Sequence, residues 1–521
     1  MTHFLRLISR LVLIFFGFNA SSGLAAAAES TAMARAPRGV EILWDTFGVP
    51  HIYAATNEGL FFAHGYAQMQ AHGDLILKLY GESRGRAAEY WGGGEANVTL
   101  DLDRWVVTNG VPERGETWYR QQTPEFRGWL DGFAAGMNAY AEAHPEKLDA
   151  SRRRVLPITG ADPVTHALRV MQYTYMSSPA RVALEAAAES AVPGTAPGSN
   201  AWALAPSRTT AGHPLLLMNP HLRWEDLYTY MEAQLTGPGQ PVYGVSQVGW
   251  PVFRFSFNDR IGFTHTVNTM DPADLYRLKV VEGGYQFDGQ VKAFTTESKI
   301  LRVRQPDGRI VEQPLIVRSS VHGPVVWDRA GQVLALRVAG LDRPFAIEQL
   351  WKMGQSGNLV EYRQQMERLQ FPFFNFTSAD AEGHIMYLFN GVVPRRPKGD
   401  FAFWPGVVPG DTSATLWNDV LTYAELPKLI DPPTGFVQNT NDPPWSSTYP
   451  TALRPEDYPA YVAPRAYPMR TVNSLGQLRG EKRFTFEEFM TARNSTRLVL
   501  ADRILDDLFT AVEAHGTERA R

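Results

Sequence analysis

The stretch from Gly198 to Trp224, GSNAWALAPSRTTAGHPLLLMNPHLRW, contains two strand-like apolar runs joined by a turn-forming segment. Ser199 begins the first run, behind the low-information segment AAAESAVPGTAPG, and His221 ends the second. Alternating apolar residues of this kind are typical of a half-buried strand. If the chain were cut before Ser199, this serine would begin a buried strand with its α-amino group beside its own hydroxyl. The stretch therefore favours an N-terminal nucleophile.

A serine at a new chain terminus would carry its own base. A hydroxyl is a poor nucleophile until a neighbouring group accepts its proton. A free α-amino group, with a pKa of about 7.7–8.0, is substantially neutral near neutral pH and can do so directly or through a water. We therefore predict self-cleavage between Gly198 and Ser199, with the glycine adopting the unusual backbone geometry that attack on its carbonyl requires.

Composition narrows the class of protein. The 521 residues are 44% apolar and 20% charged, as in an ordinary soluble protein with two or more domain-sized units or one large α+β body. The net charge of −4 argues against a nucleic-acid partner. The absence of cysteine excludes disulfides, a thiol nucleophile and cysteine metal sites.

The N-terminus resembles a secretory signal peptide, which we assign to residues 1–28. Arg6 and Arg10 precede a short apolar core, Leu11 to Phe18, and small residues follow. The alternative is a membrane anchor, but the apolar run is well short of the roughly 20 residues that span a bilayer. We expect a secreted or periplasmic protein with no membrane anchor once the signal is removed.

Patterns along the chain indicate an α+β fold. Residues 40–54 predict two short strands around a Gly-Val-Pro turn, and helical spacing then dominates to about residue 180. Alternating segments follow Ser199, with a hairpin predicted at Pro306 to Gly308 and a helix around Leu359 to Met366. The segment 427–468 reads as extended loop, and two helices are predicted at the end. Helices, then a large antiparallel region, then helices suit a layered architecture.

A second serine offers an alternative nucleophile. Gly81 to Gly85 fits the pattern G-x-S-x-G around Ser83. That motif requires a strand before the serine, whereas the residues from Asp74 to Tyr80 look helical. A conventional serine hydrolase using Ser83 therefore remains the alternative enzyme. A secreted binding protein with an inert Ser199 is the alternative outside enzymes.

The residues around Ser199 resemble the β-chain start of the penicillin acylase family of N-terminal-nucleophile hydrolases. LWDTFGVPHIYA and AHGYAQMQAHGDLILKL resemble the start of the family's α chain, and FNDRIGFTHTVNTMDPADLYRL, ADAEGHIMYLFNGVVPRRP and GFVQNTNDPPW resemble successive β-chain blocks. The resemblance implies a four-layer αββα sandwich that lacks part of its C-terminal end. It also implies a mainly helical α-chain region at 29–181, a spacer at 182–198 and a β-chain region at 199–521, the two chains coming from one precursor.

The resemblance assigns roles residue by residue. Ser199 matches the nucleophile, released from Gly198, and His221 matches the residue that supports the serine and its amino group. Val267 matches the backbone N–H of the oxyanion hole, and Asn441 matches its side-chain donor. Without the resemblance, His221 reads as a structural histidine closing a strand, and Asn441 as a turn residue before Asp-Pro-Pro.

The same resemblance raises the question of a metal. Asp271 and Asp274 match positions that bind calcium in some members, with the Ala273 carbonyl as a further ligand. Two carboxylates leave most of calcium's 6–8 oxygen ligands unaccounted for, so capping carboxylates without metal are the alternative. We expect no cofactor in catalysis and treat structural calcium as a hypothesis.

The implied activity is hydrolysis of the amide bond of N-acyl amines such as acyl-homoserine lactones, β-lactams or lipopeptides. The small-molecule acyl amine is thus the expected partner. Two aromatic clusters are candidates for an apolar acyl pocket, although alternating aromatic residues on a strand are more often core. These are Phe253, Phe255 and Phe257, and Phe371, Phe373, Phe374 and Phe376.

Overall fold

The computed structural model describes residues 37–187 and 198–516, and the predicted signal peptide lies outside them. Helices occupy two parts of the chain, before residue 188 and after residue 345. They are α1 Asn57–Ser83, α2 Ala87–Trp91, α3 Val98–Thr108, α4 Val111–Gln121, α5 Pro124–Ala143, α6 Ala161–Val170, α7 Pro179–Ala187, α8 Ala346–Gly354, α9 Leu359–Met366, α10 Met469–Leu478, α11 Phe486–Arg493 and α12 Val499–His515.

Most strands lie between residues 198 and 439. They are β1 Val40–Trp44, β2 Pro50–Ala54, β3 Gly198–Leu204, β4 Leu215–His221, β5 Tyr230–Thr236, β6 Val242–Gln247, β7 Phe255–Phe257, β8 Ile261–Thr266, β9 Ala273–Arg277, β10 Val280–Val281, β11 Gly284–Phe287, β12 Gln290–Lys292, β13 Thr295–Arg304, β14 Ile310–Ser320, β15 Gly323–Arg329, β16 Gln332–Val338, β17 Asn375–Asp380, β18 Ile385–Phe389, β19 Val407–Pro409, β20 Lys428–Ile430 and β21 Phe436–Asn439.

A nine-stranded sheet forms the centre, in the order β1-β2-β5-β6-β7-β8-β17-β18-β20. The predicted N-terminal hairpin β1–β2 is its edge and joins β5 through a parallel pairing. Helices α1, α8 and α9 pack on this sheet, and α5 packs along α1. The helices approach closely because Gly136 has no side chain: a Cβ there would lie 1.9 Å from the Phe62 carbonyl oxygen. The apolar core fills the space between these helices and the sheet.

A small sheet, β21-β3-β4, carries the organising stretch of the sequence. Its strands β3 and β4 are antiparallel, with Gly198 opposite His221, and β21 pairs with β3 from Asn439 to Phe436. This sheet packs on β8, β17 and β18 of the large sheet, and α10 contacts β21. Strand β3 is thereby held between β4 and β21 within its own sheet and against the large sheet.

The remaining strands form a six-stranded sheet, β13-β14-β15-β16-β9-β19, and a three-stranded sheet, β10-β11-β12. The hairpin predicted at Pro306 to Gly308 is confirmed as β13–β14, paired over ten positions. The helix predicted at Leu359–Met366 is confirmed with those bounds.

The mixed α+β class is confirmed. Helix α7 continues to Ala187, so helical structure extends into the predicted spacer. Within the described ranges, no helix is long and apolar enough to cross a membrane.

Candidate functional site

Ser199 lies buried at the beginning of β3, with three polar side chains around its backbone. Its backbone N–H donates to Oδ1 of Asn441 at 2.6 Å. Its carbonyl accepts a long hydrogen bond, 3.5 Å, from Nη2 of Arg470. His221 faces the preceding residue across the β3–β4 pairing. The structure therefore brings Ser199, His221 and Asn441 together.

A side chain at position 198 would displace its neighbours. A Cβ at this position would lie 1.9 Å from Cε1 of His221 and 2.4 Å from Nη1 of Arg470. The conformational reason, that glycine can adopt the backbone geometry needed for attack on its own carbonyl, stays a prediction. The structure adds crowding as a second reason, because the side chains of His221 and Arg470 occupy the space in which a Cβ would lie.

The surroundings of His221 favour the neutral form of its imidazole. Although the residue is exposed at the end of β4, desolvation of the ring by neighbouring groups lowers its pKa, and the positive charge of Arg470 lowers it further. A neutral imidazole can accept a hydrogen bond from a hydroxyl or an amine, whereas an imidazolium cannot.

The sequence Gln438 to Asp442 forms a turn built around one buried carboxylate. Asp442 accepts hydrogen bonds from the Thr440 backbone N–H at 2.5 Å and from Nε2 of Gln438 at 3.0 Å, and the Ser446 hydroxyl donates to it as well. Burial raises the pKa of Asp442, and these donors oppose that rise. The turn holds Asn441 at φ +64°, a left-handed conformation that asparagine tolerates better than most residues.

The side-chain amide of Asn441 has one orientation that satisfies both of its ends. Its Oδ1 accepts from the Ser199 N–H and from Nη2 of Arg470. Its Nδ2 therefore points away from them and donates to the Val267 carbonyl at 2.8 Å. Val267 directly follows β8, so the structure also brings this predicted residue to the site.

Arg470, on α10, was missed by the sequence analysis. Its Nη2 donates to the Thr440 carbonyl and to Oδ1 of Asn441, and its charge lies beside Ser199 and His221. Burial lowers its pKa, although arginine stays protonated in proteins. An arginine in a helix 29 positions after Asn441 has no local pattern that would identify it.

A second missed group connects the turn to the large sheet. Asn375 of β17 donates to Oδ1 of Asn439 at 3.1 Å and to Oγ1 of Thr266 at 3.2 Å. Tyr387 donates to Oδ1 of Asn375 at 2.8 Å. This network fixes the turn relative to Val267, and each of these groups is buried.

The two predicted calcium ligands lie together, but arginine side chains form ion pairs with their carboxylate oxygens. Nη2 of Arg396 lies 2.9 Å from Oδ2 of Asp271 and 2.9 Å from Oδ1 of Asp274. Nη2 of Arg181 donates to Oδ1 of Asp271 at 2.8 Å, and Nε1 of Trp417 donates to Oδ2 of Asp274 at 2.6 Å. No cluster of three or more His, Asp or Glu suited to a metal occurs in the described part of the chain. These residues do not fit a calcium ion.

Ser83 occupies the last position of helix α1, so the strand required by the G-x-S-x-G motif is absent. Its hydroxyl donates to the Leu79 carbonyl at 2.7 Å, and its Oγ lies 3.1 Å from Nδ1 of His166. Nε of Arg169 donates to the same Oγ at 3.0 Å. Because the hydroxyl already donates to a carbonyl of its own helix, the geometry argues against this serine as the nucleophile.

Six of the seven predicted phenylalanines are buried, and Phe257 is half exposed. Two of them contact the guanidinium of Arg254, which is fully buried and lies 5.2 Å from the centroid of the Phe371 ring and 5.0 Å from that of the Phe374 ring. Arg254 donates to Oε1 of Gln247 at 2.5 Å and to Nε2 of His265 at 2.9 Å. Among the described residues, no carboxylate forms an ion pair with it; the charged-group effects on its pKa come from tyrosines.

This aromatic cluster is adjacent to the serine site. His265, stacked on Phe255 with ring centroids 4.2 Å apart, lies two residues before Val267. Tyr228 in the loop after His221 contacts Tyr175, which contacts Phe374. A separate surface cleft of about 870 Å³ lies between α4 and β13–β14 and contains none of the predicted site residues.

Fold and site together define a class: an α+β protein in which a serine at the start of a strand is surrounded by histidine, asparagine and arginine. The chain matches the penicillin amidase family over residues 39–521 and belongs to that family.

Named relatives of this chain are acylases. An acyl-homoserine lactone acylase PvdQ of Pseudomonas putida is 28% identical over 538 aligned positions, covering 91% of this chain and 68% of that protein. The penicillin acylase 2 proenzyme of Pseudomonas sp. SE83 is 25% identical, covering 82% and 61%. The aculeacin-A acylase of Actinoplanes utahensis is 26% identical, covering 67% and 49%. The chain thus spans about half to two thirds of the length of these relatives.

A solved structure supports the fold. The thermostable penicillin G acylase of Alcaligenes faecalis superposes with a TM-score of 0.51 at 20% identity, covering 61% of this chain and 56% of that one. At this identity the likeness concerns the fold alone.

Proposed function

We propose that this chain is an exported N-terminal serine amidohydrolase that cleaves itself before Ser199 and then hydrolyses N-acyl amines. The observation that carries the proposal is the Ser199 backbone nitrogen, 2.6 Å from Oδ1 of Asn441 at the head of a buried strand. This nitrogen would become the catalytic amine after cleavage. The family match and the acylase relatives support the reaction class, and a four-layer αββα arrangement of the whole protein is part of the proposal.

Cleavage would use the hydroxyl of Ser199 against the Gly198 carbonyl carbon. A C–O bond forms, the C–N bond between the two residues breaks, and the amine takes a proton. Water then hydrolyses the resulting ester, which frees the Gly198 carboxylate and restores the hydroxyl. A neutral His221 beside Gly198 can orient that water or the hydroxyl by hydrogen bonding.

Hydrolysis of a substrate amide would repeat these steps in trans. The α-amine of Ser199 accepts the hydroxyl proton, and the serine oxygen attacks the acyl carbon. The amine product leaves with a proton, and water releases the acid from the acyl-serine.

The developing negative oxygen would be stabilised by the Val267 N–H and by Nδ2 of Asn441. Nδ2 donates to the Val267 carbonyl in the uncut chain, so it must exchange that acceptor for the substrate oxygen. Arg470 and the Ser199 nitrogen hold Oδ1 on the opposite side, which keeps Nδ2 directed to this region. Apart from that exchange, a donor held in advance in this way stabilises the transition state with little movement of its own.

The acyl group would bind in the aromatic cluster around Phe371 and Phe374. The rings of this cluster are apolar, which suits an alkyl or aromatic acyl chain. Arg254 favours a second candidate, an acyl chain that ends in a carboxylate, because this buried guanidinium has no carboxylate partner among the described residues. The amine portion of the substrate is not defined by these residues.

The test compares wild type with Ser199→Ala by intact mass and N-terminal sequencing. Cleavage yields a chain beginning Ser-Asn-Ala-Trp in wild type alone, and a folded wild type that stays uncut contradicts the proposal. Two acyl anilides of equal chain length, one ending in methyl and one in carboxylate, then test the acyl group. Preference for the carboxylate that disappears in Arg254→Met, but not in the surface control Arg302→Gln, supports the second candidate.

A further inference from the structure

The cluster around Asp271 and Asp274 has the geometry of a cation site with an arginine nitrogen at its centre. One atom, Nη2 of Arg396, lies 2.9 Å from the Asp271 carbonyl and 2.9 Å from its Oδ2. The same atom lies 2.9 and 3.1 Å from the two carboxylate oxygens of Asp274. Four oxygens from two residues thus surround a single positively charged donor.

We propose that the guanidinium of Arg396 takes the place of a bound cation at Asp271 and Asp274, so that this chain is stabilised there without calcium. Calcium binds oxygens at about 2.3–2.6 Å and needs six to eight of them. An ion that used these four oxygens would overlap Nη2 and be repelled by its charge. Arginine and metal are therefore mutually exclusive at this position.

Arg396 is held in place by contacts beyond the two carboxylates. Its guanidinium lies 4.5 Å above the Trp404 ring, and the neighbouring Arg395 N–H donates to the Asp419 carbonyl at 2.8 Å. The Arg396 side chain is 1% exposed, so the arrangement cannot relax by turning toward solvent.

The local charges agree with this assignment. Arg181 of α7 lies 2.5 Å from Glu185 and 2.8 Å from Asp271. Three carboxyl groups and two guanidiniums are thus in direct contact, and with every group ionised their formal net charge is −1. Without Arg396 the same cluster would carry −2, the charge that a divalent cation would neutralise.

The cluster also joins two parts of the chain. Arg181 belongs to the last described helix before Ser199, while Asp271 lies four residues after Val267. The ion pairs therefore connect the helical first part to the segment between β8 and β9 that begins with Val267, independently of whether cleavage occurs.

The first arm of the test uses wild-type protein and CaCl₂ alone as the probe. Thermal unfolding is measured in EDTA and in CaCl₂, and calcium binding is measured by calorimetry. We expect the same Tm in both solutions and no stoichiometric binding. A Tm raised by CaCl₂, or one calcium bound per chain, overturns the proposal, since a ligand that binds the folded state alone must stabilise it.

The second arm removes the charge. Arg396→Gln is expected to lower the Tm strongly because two buried carboxylates lose their shared partner. Arg396→Lys, which keeps the positive charge but not the planar guanidinium with its several N–H donors, should recover part of that loss. The control Arg302→Gln removes an exposed arginine paired with Glu312 and should leave the Tm unchanged. A wild-type Tm in Arg396→Gln overturns the proposal, and if that variant does not fold, the wild-type arm still decides.

Discussion

Ser199 and Ser83 both lie near a histidine and an arginine, yet the two serines occupy different backbone positions, and only that of Ser199 suits a nucleophile. Ser83 ends a helix and donates its hydroxyl proton to the Leu79 carbonyl, as helical serines commonly do. Ser199 begins a strand, and its own nitrogen is held by Asn441. The same side-chain types are therefore structural in one place and suited to chemistry in the other. What distinguishes them is the backbone on which the serine stands.

A second difference concerns solvation and charge. His166 is fully buried, and burial together with Arg169 lowers its pKa well below the usual value. His221 is exposed at the end of β4, and its pKa is lowered less deeply. Beside Ser199, Nδ2 of Asn441 donates to the Val267 carbonyl, and these two residues are the oxyanion donors of the proposed mechanism.

The largest effect on the reaction is expected from removal of the oxyanion donor. Asn441→Gly deletes the amide and tolerates the φ of +64°, whereas Asn441→Ala adds backbone strain. Both should lower kcat/KM per cleaved chain by about 10²–10³-fold. The measurement is steady-state kinetics on protein whose cleaved fraction is known from intact mass. Asn219→Ala, which removes an asparagine of β4 paired with Asn200, is the control; equal losses in both would count against the assigned role.

Crowding before Ser199 should make Gly198→Ala nearly unable to mature. The added Cβ would lie 1.9 Å from Cε1 of His221, so the strand end or the ring must move. A displacement of about 1 Å can slow a positioned reaction about 10²-fold. The rate of chain cleavage is followed by intact mass, with Gly128→Ala as the control because a Cβ there meets no atom within 4 Å. Cleavage of Gly198→Ala at the wild-type rate would refute the steric explanation.

Local signals in the sequence predicted much of the fold. The Gly-Val-Pro and Pro-Asp-Gly turns and the helix Leu359–Met366 are determined by neighbouring residues, and each is confirmed. The parallel pairing of β2 with β5 joins segments about 180 residues apart and leaves no local signature. Motif resemblance placed Ser199, His221, Val267 and Asn441 in one site.

Contacts between distant side chains could not be predicted in the same way. Arg470 and Asn375 reach the site from α10 and β17, so their partners depend on how the sheets pack. Arg396 lies more than 100 residues from the carboxylates it neutralises, so the family resemblance suggested calcium at Asp271 and Asp274 without any sign of this arginine. A motif identifies candidate ligands, but it cannot reveal a competing cation from a distant part of the chain.

The charge of Arg470 should set the pH dependence of the Ser199 site. The catalytic amine must be neutral to accept a proton, and a nearby cation disfavours its protonated form. Arg470→Met should therefore raise the pKa of the amine and of His221, which moves the acidic limb of kcat/KM to higher pH by about 0.5–1 unit. Arg470→Lys keeps the charge and should leave the limb in place even if kcat falls. An unmoved limb in Arg470→Met would show that this charge does not act on the titrating group.

The smallest effect on activity is expected from Ser83→Ala, which tests whether the helical serine takes part in the reaction. The variant removes the hydrogen bond to the Leu79 carbonyl and an acceptor for Arg169, so the free energy of unfolding should fall by about 1–2 kcal/mol. Cleavage before Ser199 and kcat/KM should stay at wild-type values, because the Ser83 hydroxyl already has its acceptor in the helix. Urea unfolding and steady-state kinetics separate the two effects. If a folded Ser83→Ala lost activity while the chain remained cut at Ser199, the helical serine would have a part in the chemistry that its backbone position argues against.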